Sequence, residues 1–119
     1  MKLPAAIVLV ALGTASAAAD DARVALMGVG ATACAGYSEE YRRNPTGADP
    51  VFFSWAQGFM SGLNLIRIER KQPLYDLGAM PMPEQIARLR QLCEQKPLVP
   101  YAYAVQDLMK TFPEIPPPN

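Results

Sequence analysis

Residues 49–66, "DPVFFSWAQGFMSGLNLI", decide the fold class of this chain of 119 residues. Asp49 followed by Pro50 is typical of a helix start, with the carboxylate as N-cap and the proline at the first helical position. After Val51 the bulky apolar residues recur at helical rather than alternating spacing. The sequence therefore predicts a long central helix that begins at Asp49 and continues to about Glu69.

The sides of this predicted helix differ when its residues are placed about 100° apart. Gly58 and Gly62 fall on a strip of small residues, with Trp55 beside it. A glycine inside a helix costs about 1 kcal/mol relative to alanine. We therefore expect another backbone to pack closely on Gly58 and Gly62, with Trp55 filling the edge of that contact.

A second strip of the helix carries two polar side chains, Gln57 and Asn64. They stand on one side of the helix, flanked by Phe53 and Met60. These four residues are the candidate partner-binding strip. Two other interpretations stay open, because the polar pair could equally be satisfied by hydrogen bonds to loops or lie on solvated surface.

Three shorter helices are predicted around the central one, at 33–43, from 83 to a stop at Pro97, and at 101–112. Thr32 is the expected N-cap of the first, and Pro83 suits the first turn of the second. The stretch 20–31 is an extended or short helical lead-in, and the apolar loop at 71–83 should lie against the core. Since no strand pattern persists, the fold class is all-α, a small bundle of about four helices.

The two cysteines, Cys34 and Cys93, lie on the apolar faces of two of these helices. In an exported chain this even count indicates one disulfide, and only one pairing exists. A closed loop of this length is worth roughly 4 kcal/mol in the chain-entropy model. Two buried free thiols are the alternative. Because the chain has no histidine and two thiolates rarely hold zinc alone, we expect no metal and no cofactor.

The N-terminus has the pattern of a targeting segment. Lys2 precedes an apolar run at 3–12, and small residues then permit cleavage after Ala17 or Ala19. The run is too short to span a bilayer, which needs about 20 residues; a buried helix is the alternative. We predict a signal peptide at 1–19, one domain at 20–112 and a flexible proline-rich tail at 113–119, in a periplasmic or secreted protein.

The charge pattern and the side-chain chemistry exclude several function classes. Without Lys2 the chain is close to neutral, which argues against a nucleic-acid partner and against an anionic membrane surface. Acid–base catalysis would need a tuned cluster, but Asp76, Glu84 and Asp107 are scattered. The serines Ser54 and Ser61 have no base nearby in the sequence. We expect a protein that is not an enzyme.

Five motifs in fixed order resemble a known group of proteins: GATACAGY (30–37), FFSWAQGFMSGLN (52–64), YDLGAMP (75–81), LRQLCEQKPL (89–98) and YAVQDLMKTF (103–112). The sharpest parts are the W-x-x-G-x-x-x-G spacing from Trp55 and the L-C-x-x-x-P-L spacing around Cys93. This order is similar to that of the small helical periplasmic proteins around the acid-stress chaperones HdeA/HdeB. It is equally similar to that of the Tai-type immunity proteins, which neutralise secreted amidase effectors.

The resemblance implies an all-helical fold with a Cys34–Cys93 disulfide, in a group that contains a chaperone and inhibitors. We therefore expect an exported, non-catalytic domain that binds another protein, as a monomer or a homodimer, in the manner of an inhibitor or immunity protein. The alternative is a periplasmic acid-stress chaperone, whose carboxylates would trigger loss of structure on protonation. A structural role without a specific partner is the third expectation.

Overall fold

The computed structural model describes Met1, Lys2, Gly13 and residues 25–119. The signal peptide predicted at 1–19, with its cleavage sites, otherwise lies outside the described residues. Within 25–119 the chain forms a 3₁₀ turn, four α-helices and a two-stranded antiparallel ribbon. In chain order these are the 3₁₀ turn Gly28–Ala31, α1 Cys34–Arg43, α2 Pro45–Glu69, β1 Leu74–Tyr75, α3 Met82–Gln95, α4 Tyr101–Met109 and β2 Glu114–Ile115. The predicted all-α bundle is confirmed.

The central helix α2 begins earlier than the sequence pattern predicts. Asn44 is its N-cap, since the Asn44 side chain accepts a hydrogen bond from the Gly47 amide at 3.1 Å, and Pro45 takes the first helical position. The prediction of Asp49 as the N-cap is wrong. Asp49 lies inside the helix, and its carboxylate accepts a hydrogen bond from the Tyr37 hydroxyl at 3.0 Å instead.

The first helix is capped by a loop rather than by Thr32, so that predicted N-cap is also wrong. The Cys34 amide donates to the Val99 carbonyl and the Ala35 amide to the Pro97 carbonyl, each at 2.8 Å. These bonds satisfy two of the amides that a helix start leaves free. The loop between α3 and α4 is thereby held against the start of α1.

The disulfide between Cys34 and Cys93 is confirmed. Both residues have no exposed surface and join α1 to α3, with their Cα atoms 4.7 Å apart. The alternative of two free thiols is therefore excluded. The bond closes a loop over a sequence separation of 59 residues, which contains all of α2.

Aromatic rings from α1, α2 and α4 form the centre of the core. The ring centroid of Tyr37 lies 4.6 Å from that of Phe52 and 5.1 Å from that of Tyr101. Trp55 closes the cluster with its edge toward Tyr101 at 6.2 Å. Helix α4 ends at Met109, three residues before the predicted end, yet Phe112 remains buried. The central helix is thus packed between α1 and α4.

The two-stranded ribbon joins the loop at 71–83 to the C-terminal segment. The loop packs against the core through Tyr75, Leu77 and Met80, as predicted. Glu114 lies opposite Tyr75 in an antiparallel pair, and Ile115 lies opposite Leu74. The tail predicted at 113–119 is therefore wrong for residues 114 and 115, because their backbone pairs with β1, a strand that periodicity does not reveal.

Candidate protein-binding surface

The strip predicted to bind a partner faces largely inward. Phe53 and Met60 are only 4% and 1% exposed and belong to the core, so the prediction is wrong for these two residues. The physical reason is that α2 is covered on a broad side by α1 and α4, which extends the buried face from Phe52 and Ala56 to Phe53 and Met60.

Asn64 holds a loop rather than a partner. Its side-chain amide donates to the Tyr75 carbonyl at 2.8 Å, and its oxygen accepts from the Tyr75 amide at 3.1 Å. This is the alternative in which loops satisfy the polar pair, so Asn64 is engaged within the fold. Gln57, by contrast, is exposed. Of the four predicted residues, Gln57 is the one left at the surface.

The two helical glycines also differ from their prediction. No atom of the described residues lies within 4 Å of the Cβ that Gly58 or Gly62 would carry, beyond the helix's own backbone. The expected close packing on Gly58 and Gly62 is therefore wrong for the part of the chain that the structure describes. Their strip of small residues points away from the core, because the opposite side of α2 supplies the buried bulky residues.

Trp55 packs against a glycine, but against Gly30 of the 3₁₀ turn. The indole ring occupies the space that a Cβ on Gly30 would need. The indole Nε1 donates to the Met27 carbonyl at 3.1 Å. Trp55 therefore packs at Gly30, a position that was not predicted from the sequence, and not at the edge of the contact predicted on Gly58 and Gly62. The available signal was the pair of glycines, Gly28 and Gly30, in an otherwise ambiguous lead-in.

The solvent-facing side of α2 carries no charge along most of its length. We call Val51, Ser54, Gly58, Ser61 and Leu65 the outer face of α2. Val51 and Leu65 are 57% and 61% exposed. The surface of a solvated helix is normally polar or charged opposite the core, yet there is no charged residue from Pro50 to Ile66. The outer face runs for about 21 Å at the usual helical rise.

A groove lies between α2 and α4 beside this face. It consists of three adjoining hollows of about 220 to 230 Å³ each. Adjacent hollows share Gln106 or Leu63, so that the depression is continuous. We call it the α2–α4 groove, lined chiefly by Phe59, Leu63, Ile66, Tyr103, Gln106 and Met109. The sequence places Tyr103 and Gln106 on the fourth predicted helix, within the YAVQDLMKTF motif, and predicts no role for either side chain.

The two ends of the groove differ in charge. The hollow next to Leu26 and Tyr103 is lined by uncharged residues. At the other end the charged lining residues are Lys110, Arg67 and Arg70, all cationic. The Arg67 guanidinium already lies over the Tyr75 ring and 3.6 Å from the Glu114 carboxylate. Arg70 is exposed and takes part in none of the ion pairs among the described residues.

A partly buried cluster of titratable groups joins three helices. The Asp49 carboxylate accepts a hydrogen bond from the Tyr37 hydroxyl and lies 3.4 Å from the Arg90 guanidinium. The same guanidinium lies over the Tyr41 ring. Burial, reinforced by the Asp49 charge, raises the pKa of Tyr37 above its ordinary value of 10.0. This arrangement links α1, α2 and α3. Among the residues described, no three potential metal ligands of the His, Cys, Asp and Glu types lie close together.

Comparison with protein-family models, with curated proteins and with solved structures finds no significant match to this chain. In the described part of the chain, no helix combines the length and the apolar character needed to cross a bilayer. Among the described residues, the outer face of α2 and the α2–α4 groove are the two surface features that bear on function.

Proposed function

We propose that this chain is an exported, non-catalytic domain that binds another protein, in the manner of an inhibitor or immunity protein. The observation that carries the proposal is the uncharged outer face of α2. Val51 and Leu65 are each more than half exposed there. Leu65 is joined at the surface by Ile66 and Ile68, which are 44% and 38% exposed. Exposed apolar residues that cluster in this way commonly mark a contact with another macromolecule.

The other helices make the outer face of α2 unusual within the same molecule. The exposed side of α1 carries Glu39, Arg42 and Arg43, and that of α3 carries Arg88 and Glu94. A partner that covered α2 would meet no charge to desolvate along the outer face. Burial of the exposed Val51 and Leu65 side chains would then contribute roughly 25 cal/mol for each Å² of apolar surface removed from water.

The location is proposed on two grounds. The Cys34–Cys93 disulfide is compatible with an oxidising compartment. The predicted signal peptide supports the periplasm, with secretion beyond the cell as the alternative. The sequence resemblance to the HdeA/HdeB and Tai-type groups supports the same class of protein.

The proposal is tested by affinity capture from an envelope extract on the oxidised, exported protein. Three forms are compared: the native protein, Leu65→Lys on the outer face, and Leu98→Lys as the matched control. Leu98 is 90% exposed on the loop between α3 and α4, so both substitutions place a lysine at an exposed leucine. Circular dichroism and thermal unfolding verify that both variants are folded.

We expect a discrete set of proteins, identified by mass spectrometry, that the native protein and Leu98→Lys retain and Leu65→Lys loses. Light scattering measures the molar mass of the free protein. If the outer face forms a homodimer, the native protein has twice the mass of Leu65→Lys. Retention of the same proteins by all three forms would contradict a role for the outer face. Recovery of no specific protein by any form would contradict the proposed function.

An acid-stress chaperone is the second candidate, and Asp49 is the observation that favours it. The Asp49 carboxylate accepts a hydrogen bond from the Tyr37 hydroxyl and forms an ion pair with Arg90, so this one side chain connects three helices. Loss of these two contacts in strong acid would loosen the bundle. The test is light scattering of an acid-denatured client protein at about pH 2–3, well below carboxylate pKa values. Suppressed aggregation would support the chaperone, and unchanged aggregation would remove it.

A further inference from the structure

The α2–α4 groove has the dimensions of a site for a short peptide segment. The groove runs along α2 from Phe59 to Arg70, the C-cap of the helix. These two residues are eleven positions apart in the sequence. At the helical rise this corresponds to about 16 Å. A fully extended chain advances about 3.3 Å per residue, so roughly five extended residues fill the groove.

The walls of the groove favour apolar side chains. Phe59, Leu63 and Ile66 are spaced at i, i+4 and i+7, which aligns them along one edge of α2. Ile66 is 44% exposed, and Tyr103 on the facing helix is 53% exposed. In an extended segment every second side chain points the same way, so two or three apolar side chains would enter the groove together.

The polar groups of the groove define one end and one midpoint. The half-buried Gln106 lies where two of the hollows meet, and its amide offers both a donor and an acceptor to an extended backbone. Arg70 stands at the far end with Arg67, and no acidic residue lines that hollow. Arg67 and Lys110 already lie within ion-pair distance of Glu114 and Asp107, so Arg70 is the cation of the lining that takes part in no ion pair of the described residues. This cationic end is complementary to a carboxylate, and a guanidinium binds a carboxylate in a bidentate manner.

We propose that the α2–α4 groove binds a short extended segment of a partner protein, in which two or three apolar side chains precede a carboxylate that pairs with Arg70. The inference rests on the proposed protein-binding function and names the chemistry of the partner. The carboxylate is the side chain of an acidic residue in that segment. The outer face of α2 then adds contact area beyond the segment itself.

The test is selection from a random peptide display library on the oxidised, exported protein. The selected consensus peptide is then synthesised with a free and with an amidated C-terminus. Its dissociation constant is measured by fluorescence anisotropy for four proteins: the native protein, Ile66→Gln, Arg70→Glu and the control Leu98→Gln. Ile66→Gln and Leu98→Gln are matched, since each replaces an exposed aliphatic residue with a neutral amide, within or outside the groove.

We expect selected peptides that combine apolar residues with a carboxylate. Ile66→Gln should weaken binding at least fivefold and Leu98→Gln less than twofold. Arg70→Glu should weaken binding at least tenfold and regain it with a peptide whose acidic residue is replaced by lysine. Binding should be unchanged on amidation of the C-terminus, because the carboxylate that pairs with Arg70 is a side chain.

Three results would overturn the inference: no enrichment of peptides, enriched peptides without a carboxylate, or equal affinity for Ile66→Gln and the native protein. If any of these occurs while envelope proteins are still captured in a Leu65-dependent manner, the proposed function stands and the groove is not its site. If the capture experiment also fails, the protein-binding function itself is refuted.

Discussion

The two halves of the bundle are built for different tasks. The α1–α3 half is joined by the buried Cys34–Cys93 disulfide, and its solvent side carries charged residues of both signs. In the α2–α4 half there is no covalent link, the outer face of α2 is uncharged, and a groove separates the helices. On the proposed function, the first half supplies stability and the second supplies recognition.

Removal of the disulfide tests the stabilising half and should have the largest effect. We expect the double substitution Cys34→Ala with Cys93→Ala to lower the free energy of unfolding by about 4 kcal/mol, because it releases a long closed loop. Urea unfolding followed by circular dichroism measures this change. A loss of less than about 1 kcal/mol would contradict the assignment of stability to the α1–α3 link.

Gly30, which packs against Trp55 of α2, and Gly58, which lies on the outer face of α2, distinguish the packed side of the helix from its free side. A Cβ on Gly30 would overlap the Trp55 ring, so Gly30→Ala should cost about 1–3 kcal/mol by overpacking. Gly58→Ala adds a methyl group into open space within a helix and should stabilise by up to about 1 kcal/mol. Thermal unfolding of the two variants measures the contrast. If Gly58→Ala instead lowers the stability, the result would support the close packing on Gly58 that the sequence predicts.

The aromatic cluster where the two halves meet predicts a response to alkali. Burial raises the pKa of Tyr101 and of Tyr37 above the ordinary 10.0. Above about pH 10 the unfolded chain therefore loses protons that the folded chain keeps, and stability falls as pH rises. Each tyrosine contributes about 1.4 kcal/mol per pH unit.

The variant Tyr101→Phe should halve this alkaline slope of the unfolding free energy, measured between about pH 10 and 11.5. At neutral pH it should change stability by less than about 1 kcal/mol, because no described residue hydrogen-bonds the buried Tyr101 hydroxyl. A slope equal to that of the native protein would show that the Tyr101 hydroxyl ionises as readily in the folded chain as in the unfolded chain.

The number of helices and the cysteine pairing follow from the sequence, whereas the orientation of α2 does not. Between Pro50 and Ile66 every side of the helix is uncharged, so no charged stripe marks the solvent side. The sequence therefore predicts close packing on the glycine strip and a partner-binding surface at the strip of Phe53, and the structure reverses these two positions. Only the contacts with α1 and α4 decide between them.

Local signals that occur twice, or that depend on distant residues, explain the other differences. Asn44–Pro45 and Asp49–Pro50 each have the form of a helix start, and the chain uses the earlier pair. Carbonyls of the distant α3–α4 loop cap α1, and no sequence window contains both partners. The ribbon at Glu114–Ile115 likewise depends on the loop that Asn64 holds in place.

Hydrogen–deuterium exchange tests the division between the two halves most directly. The exchange of the native protein is compared when it is free and when it is bound to the protein recovered by affinity capture. We predict slower exchange on binding within residues 50–70 and 101–112, with α1 at Cys34–Arg43 unchanged. Slower exchange confined to α1 and α3 would contradict the account, because the partner would then bind the half of the bundle that the disulfide joins.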